Sequence, residues 1–432
     1  VAGFYATWYA GATAAPINPL AQDSEVVGQL GDAGVSLVVG AAGGVGHRAA
    51  ERLKVGFVDL DTFRAMQAAP PAAAAPCAPE DDVAVLLYTG GTTGVSKGAM
   101  LTHRNIVANT VQFTEWYAFA PGEEVSVSAI PMFHSGGMSG VMNVPLSAGA
   151  TLLVFPRFSA AAVARAVTRY RVTRLFGVPT MFIALLNDAA GRAADYSTLR
   201  ACRTNAAALP PSVKAAFDAL VGREVLVEGY GLTETSPLTH ANPVGRAKAG
   251  CIGIPLPDTD ARIVDLATGA DAAPGQSGEL LIRGPQVMRG YWNRPAATAE
   301  AMQGAWLRTG DVAVMDAEGY FAIVDRKKDM INTAGFKVWP REVEETLYTH
   351  PAVQLVAVVG VPDDYRGEAV KACVVVKDAQ RGQVSEGELV AFCRARLTAY
   401  KVPRVIEFRD ALPTSGAGKV LRRMLREDRA LT

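Results

Sequence analysis

The stretch Leu86-Leu-Tyr-Thr-Gly-Gly-Thr-Thr-Gly-Val-Ser-Lys97-Gly98 runs an apolar segment into a loop of glycines and hydroxyls that ends on a lysine. This composition fits a phosphate cradle. Gly90, Gly91 and Gly94 let backbone N–H groups approach an anion, Thr89, Thr92, Thr93 and Ser96 add hydroxyl donors, and Lys97 adds charge. A Walker loop needs Gly-Lys followed by Ser or Thr. Here Val95-Ser96 precedes the lysine and Gly98 follows it, which excludes a P-loop NTPase. The plain alternative is a surface turn.

Five other stretches are too polar or too glycine-rich for their surroundings. Pro131-Met-Phe-His-Ser-Gly-Gly137 carries one of only five histidines, His134 beside Phe133, at a predicted strand end, where open α/β sheets bind ligands. A core histidine is the ordinary reading of a lone one. Glu228-Gly-Tyr-Gly-Leu-Thr-Glu-Thr235 sets a ring for stacking, Tyr230, and Gly231 ahead of Thr233 and Glu234. That pair suits Mg²⁺, which favours one carboxylate completed by phosphate oxygens. In Trp306-Leu-Arg-Thr-Gly-Asp311 the Asp is placed to accept from ribose hydroxyls, although Asp after Gly is also common in turns. Asp325-Arg-Lys-Lys-Asp-Met-Ile-Asn-Thr-Ala-Gly335-Phe-Lys337 puts cations beside a glycine turn. Leu412-Pro-Thr-Ser-Gly-Ala-Gly-Lys419-Val-Leu-Arg-Arg presents one lysine on a loop and, alone, reads as a solvated basic tail.

The elements that must position these residues follow from periodicity. Strands are predicted at 35–39, 83–88, 125–130, 151–155, 174–177, 200–204 and 224–227, and helices at 23–33, 102–117, 137–147, 160–170, 179–187 and 210–220. This alternation predicts an α/β fold with a largely parallel sheet covered by helices. Beyond Pro255 short strands at 261–265, 278–283 and 320–325 predict a small β-rich subdomain. After the charged break at 326–329, helices at 342–349 and 385–397 with strands at 353–359, 371–376 and 405–408 form a small α+β unit. The boundary is placed at Lys328, giving domains 1–328 and 329–432.

A chain of 432 residues has room for two or three domains at ~100–200 residues each. Forty-two basic and forty-two acidic residues cancel, so no field recruits nucleic acid. Five scattered cysteines without a Cys-x-x-Cys pair fit a reduced, cytoplasmic setting. No run reaches the ~18 apolar residues of a membrane span, so only peripheral membrane association is expected, through a lipid-like substrate. The chain opens at Val1 in mid-pattern, with a helix predicted to end near Gly11, which predicts that an N-terminal piece is absent.

Together, in this order, these motifs resemble the adenylate-forming (AMP-binding) superfamily of acyl-CoA synthetases, peptide-synthetase adenylation domains and luciferases. Gly177-Val-Pro-Thr-Met, Glu228-Gly-Tyr-Gly-Leu-Thr-Glu-Thr-Ser-Pro, Gly284-Pro-Gln-Val-Met-Arg-Gly-Tyr-Trp and Pro340-Arg-Glu-Val-Glu-Glu are most similar to bacterial long-chain fatty acid–CoA ligases. The resemblance implies a large domain, a small mobile C-terminal domain, and ATP, Mg²⁺ and coenzyme A as reactants. It implies that Thr89 to Lys97 hold the β- and γ-phosphates, that Tyr230 stacks on adenine, and that Thr233 and Glu234 hold Mg²⁺. Asp311 and Arg326 would bind ribose, and His134 would border the acyl pocket. Lys328 would be the hinge, Lys419 would touch the substrate carboxylate and α-phosphate, and the turn at Gly335 with Lys337 would line the coenzyme A path.

Some positions depart from the family pattern. Gly90 stands where Ser is common and removes a hydroxyl, and Ser96 stands where Pro is frequent. Ala206, Ala207 and Ala208 replace a glycine-rich turn, which predicts a stiffer loop and a shallower acyl pocket. Met138 takes the place of an aromatic gate, a flexible residue expected to line a channel without closing it. The leading expectation is a fatty acyl-CoA ligase. The alternatives are an adenylation enzyme that loads a carrier-protein thiol and a nucleotide-binding remnant without turnover.

Overall fold

The computed structural model describes residues 1–66, 68, 73–89, 96–363, 365–414 and 420–427. Strands and helices alternate from Val125 to Gly231, as the patterning predicts, and build a seven-stranded sheet. Its order is Ile254–Pro255, Leu238–Ala241, Leu226–Gly231, Ala201–Thr204, Arg174–Gly177, Val125–Ser128, Thr151–Val154. The strands from Thr151–Val154 to Leu226–Gly231 pair parallel, and the last two join antiparallel. The helix Ala160–Tyr170 starts where the Ser159 hydroxyl accepts from the Ala162 amide and buries Val163, Ala164, Ala166 and Val167. Pro179–Asn187 opens on its proline, which needs no donor in the first turn. Phe182 and Phe217 meet edge to face, 5.0 Å between ring centres, in the core under these helices.

The cradle strand Val83–Thr89 is not part of this sheet. It pairs antiparallel with Lys97–Thr102, which pairs in turn with Gly290–Tyr291. The cradle sequence therefore lies between two paired strands, with Thr89 opposite Lys97. The sequence reading passed straight from the cradle to the helix, because Lys97-Gly98 and a terminal threonine disguise the strand between them. That helix, His103–Trp116, is capped as expected. The Thr102 hydroxyl accepts from the Asn105 amide at 3.2 Å, and Asn105 Oδ1 accepts from the Thr102 amide at 2.9 Å.

The β-rich part is an antiparallel sheet in the order Asp260–Val264, Ser277–Arg283, Trp306–Met315, Met302–Gln303, with Phe321–Arg326 also beside Trp306–Met315. Trp306–Met315, ten residues long, was not expected as a strand. Arg308, Thr309, Gly310 and Asp311 interrupt its apolar run, and Gly310 bends it at φ 70°.

The last hundred or so residues form another five-stranded sheet, Phe336–Val338, Ile331–Thr333, Gly367–Val376, Val353–Asp363, with Val405–Phe408 parallel to Gly367–Val376. The helices Pro340–Tyr348 and Glu386–Arg394 bury Val343, Leu347, Leu389 and Cys393 against one face. Leu425 and Leu412 cover the other. Among the described residues no helix is long and apolar enough to cross a membrane.

Candidate active site

The chemistry-bearing residues gather at the carboxyl ends of the parallel strands and at the cradle hairpin. At the hairpin, Thr89 and Lys97 face each other, and the Ser96 hydroxyl donates to the Thr89 carbonyl at 2.8 Å. Gly90, Gly91, Thr92, Thr93 and Gly94 lie outside the described residues. The Lys97 Nζ stands 5.3 Å from the centre of the Tyr291 ring. Tyr291 pairs with Ala99 across the hairpin and donates its hydroxyl to Glu234 Oε1 at 2.7 Å. The cradle cation and the Glu234 carboxylate thus share one side chain. Tyr291 lies in the Gly284–Trp292 motif, but sequence gave it no role, because its partners come from strands far apart in the chain.

Thr233 and Glu234 occupy the single turn Thr233–Thr235 after the strand Leu226–Gly231. The Glu234 carbonyl accepts from the Met288 amide at 2.8 Å, which ties that turn to the hairpin sheet. Tyr291 occupies one carboxylate oxygen of Glu234, and the donor set of one carboxylate beside one hydroxyl fits a Mg²⁺ ion that draws the rest of its shell from phosphate and water. No trio of metal-binding side chains gathers among the described residues.

On the other side, the Tyr230 hydroxyl donates to Asp311 Oδ2 at 2.5 Å, and Arg326 Nε lies 3.4 Å from Asp311 Oδ1. Asp311 and Arg326 are cross-strand partners. Burial, and then the neighbouring Asp311 charge, push the Tyr230 phenol well above its ordinary value, so it stays a donor. Asp311 is buried and held from both sides.

His134 caps the helix Ser135–Met138, its Nδ1 accepting from the Gly136 amide at 3.2 Å, and Phe133 is half-buried beside it. Met138 is buried. It has no exposed surface and lies in one core cluster with Leu87, Ala99, Met142 and Ile252. The turn at 206–208 is exposed, with Ala206 in the left-handed region at φ 73°, the conformation that glycine would adopt without strain.

Lys328 sits in the short turn Lys327–Asp329, its ammonium held below the usual lysine value by burial and by the Arg326 charge. Arg422 reaches Glu344 at 2.7 Å and Asp325 and Asp329 at 3.4 Å, and Arg426 reaches Asp329 at 3.0 Å. Gly335, at φ 85°, turns the hairpin between Ile331–Thr333 and Phe336–Val338, with Lys337 exposed beside it. Lys419 lies outside the described residues.

The family model described as AMP-binding enzyme matches residues 1–292, and that of the AMP-binding enzyme C-terminal domain matches 342–419. The chain belongs to the AMP-binding enzyme family. Within that family it is 47% identical over 352 residues to a long-chain-fatty-acid–CoA ligase of Bacillus subtilis, covering 81% of this chain and 62% of that protein. The chain thus spans about three fifths of the length of that relative. It is 42% identical to a feruloyl-CoA synthase of an Amycolatopsis species, over 79% of this chain and 69% of that one. Among solved AMP-binding structures, the ATP-bound MatB of Rhodopseudomonas palustris superposes with a TM-score of 0.90 at 31% identity, covering 98% of this chain and 85% of that one. The α/β architecture with a large first part and a small C-terminal one is that of the family.

Proposed function

We propose that the protein joins a carboxylic acid to ATP, releasing pyrophosphate and forming an acyl-adenylate, and then passes the acyl group to the thiol of coenzyme A. A medium- or long-chain fatty acid is the class favoured by the 47% identity to a long-chain-fatty-acid–CoA ligase. The observation that carries the reading is that one segment, Leu226–Thr235, joins two groups, Lys97 with Tyr291 and Glu234, and Tyr230 with Asp311 and Arg326.

Lys97 and the cradle residues hold the β- and γ-phosphates and offset their repulsion of an incoming carboxylate. Thr233 and Glu234 hold Mg²⁺, which supplies positive charge to the phosphates when bound. Tyr230 lies against the adenine while its hydroxyl keeps Asp311 turned, and Asp311 and Arg326 take the ribose hydroxyls. His134 borders the acid. Lys419 contacts the acid carboxylate and the α-phosphate, where a compact charge on a mobile stem follows the reacting atoms. Residues 1–328 act as one domain and 329–432 as a second that pivots at Lys328, exchanging Lys419 for the Gly335 turn and Lys337 on the coenzyme A side. A cytoplasmic enzyme that draws a long-chain acid from a membrane surface completes the reading.

The test is acid-dependent exchange of labelled pyrophosphate into ATP, with acids from acetate to palmitate and with benzoates, followed by consumption of coenzyme A. Exchange with alkyl acids and consumption of the thiol are expected. Exchange without thiol consumption returns the carrier-protein alternative, and no exchange with any acid overturns the reading.

A further inference from the structure

Two arginines are buried on neighbouring parallel strands, and among the described residues only one has a counter-charge. Arg174, on Arg174–Gly177, meets Glu124 Oε1 at 2.7 Å and the Ala118 carbonyl at 2.9 Å. Arg203, on Ala201–Thr204, is 6% exposed and pairs with no carboxylate among the described residues. Its guanidinium lies in an aromatic box, 3.7 Å from the centre of Phe113, 3.8 Å from Phe176 and 5.1 Å from Tyr117. Arg203 Nε is buried without a hydrogen-bond partner, and the polar group that acts on the guanidinium is the Tyr117 phenol, which carries no charge to balance it. Burial lowers the guanidinium to about 10, which leaves it charged at neutral pH. Ring faces offset part of the desolvation of a cation, but they do not satisfy its N–H groups. A buried cation with no counter-charge and an unpaired Nε is costly unless something outside the chain pairs with it.

The box adjoins the acid side of the site. The Phe176 ring that stacks on Arg203 also abuts Gly136, where an added methyl would stand 3.6 Å from that ring and 3.6 Å from His134 Nδ1. The helix after His134 widens to a π-turn at Ser139–Asn143, and there Gly140 leaves room for the guanidinium. A methyl on Gly140 would lie 2.7 Å from Arg203 Nη2 and 2.7 Å from Phe176. The next two residues continue the pattern, since Thr204 Oγ1 and Asn205 Oδ1 are also buried without partners. Asn205 Oδ1 lies 3.2 Å from where a methyl on Gly229 would be, next to Tyr230. Thr204 points to the opposite face of the strand from Arg203, and Asn205, back on the Arg203 side, sits at the carboxyl end of the strand, a position where parallel sheets bind ligands.

We propose that Arg203 is a specificity-determining residue that binds an anionic or oxygen-rich group at the far end of the acid, so that among alkyl-chain acids those ending in a carboxylate or similar oxygenated group are preferred over those ending in a methyl. This rests on the acid-activating reading above and narrows its substrate class. A methyl terminus against the guanidinium would leave the donors idle, whereas a carboxylate would accept them in a two-pronged contact. Discrimination of this kind is large because the poorer substrate leaves buried polar groups unpaired.

The experiment compares kcat/KM in pyrophosphate exchange for length-matched pairs, adipate with hexanoate through sebacate with decanoate, in the wild type, Arg203→Met and Arg203→Lys. The wild type is expected to favour a diacid by about 10-fold or more, and Arg203→Met to lower the diacid by about 10- to 100-fold while sparing or raising the monoacid. Arg203→Lys should retain part of the preference. Wild-type preference for the monoacids, or equal loss on both in Arg203→Met, overturns the proposal, and the wild-type comparison decides even if a variant does not fold. If no acid supports exchange, the acid-activating reading has failed. The subsite is then decided by heat stability with each acid alone. A Tm rise with a diacid, absent with its monoacid and lost in Arg203→Met, upholds it, and equal shifts or none overturn it.

Discussion

Tyr291 joins the cradle lysine to the Glu234 carboxylate through a ring face on one side and a 2.7 Å hydrogen bond on the other. Tyr291→Phe keeps the ring and removes the bond. With a charged acceptor such a bond is worth about 1.5–3 kcal/mol, so kcat/KM for ATP in pyrophosphate exchange should fall about 10-fold or more with Tm little changed. Ala206 poses the opposite case, strain without contact. Its exposed, left-handed backbone suits glycine, and Ala206→Gly should raise stability by about 1 kcal/mol in urea unfolding, less the added freedom of the unfolded chain. Both residues were visible in the sequence, but neither role was. The ring's two contacts come from chain segments far apart, and a backbone angle is not written in a run of alanines.

Single elements followed the sequence where apolar periodicity ran unbroken. The helices Ala160–Tyr170 and Pro179–Asn187 have the ends that periodicity predicts. The strands Lys97–Thr102 and Trp306–Met315 were missed because Lys97-Gly98 opens the first without an apolar residue and Arg308–Asp311 breaks the apolar run of the second. Glu124, just ahead of Val125–Ser128, shows what holds the sheet's start. Burial alone would raise its carboxyl, but hydrogen bonds from Arg174 and Thr173 outweigh that and lower it from 4.5 to about 2. A depressed folded value means that the stabilisation is complete above the unfolded value and fades as pH falls toward 2. Its size is on the order of 3 kcal/mol. Urea midpoints of the wild type should therefore drop between pH 5 and 3 more steeply than those of Glu124→Gln, which starts lower at pH 7.

At the scale of the molecule, the two parts meet through arginines, of which Arg341 lies in a motif to which sequence assigned no contact and Arg422 in a stretch read alone as a basic tail. Arg341, on the helix Pro340–Tyr348, donates to the Ile323 carbonyl at 2.7 Å, and its charge partly offsets the burial that raises Glu228 to about 7. Arg422 closes Asp325, Asp329 and Glu344 around one guanidinium. Arg422→Gln leaves those carboxylates facing one another. We expect a loss of about 2 kcal/mol or more and faster amide exchange at 420–427, with pyrophosphate exchange impaired less than the stability of the C-terminal part.

The ring shared by Lys97 and Glu234 also has a thermodynamic consequence. A ligand that draws on Lys97 and an ion that draws on Glu234 are coupled through Tyr291. Whatever factor the metal adds to nucleotide affinity, the nucleotide adds to metal affinity, and Tyr291→Phe should shrink both by the same factor in paired titrations.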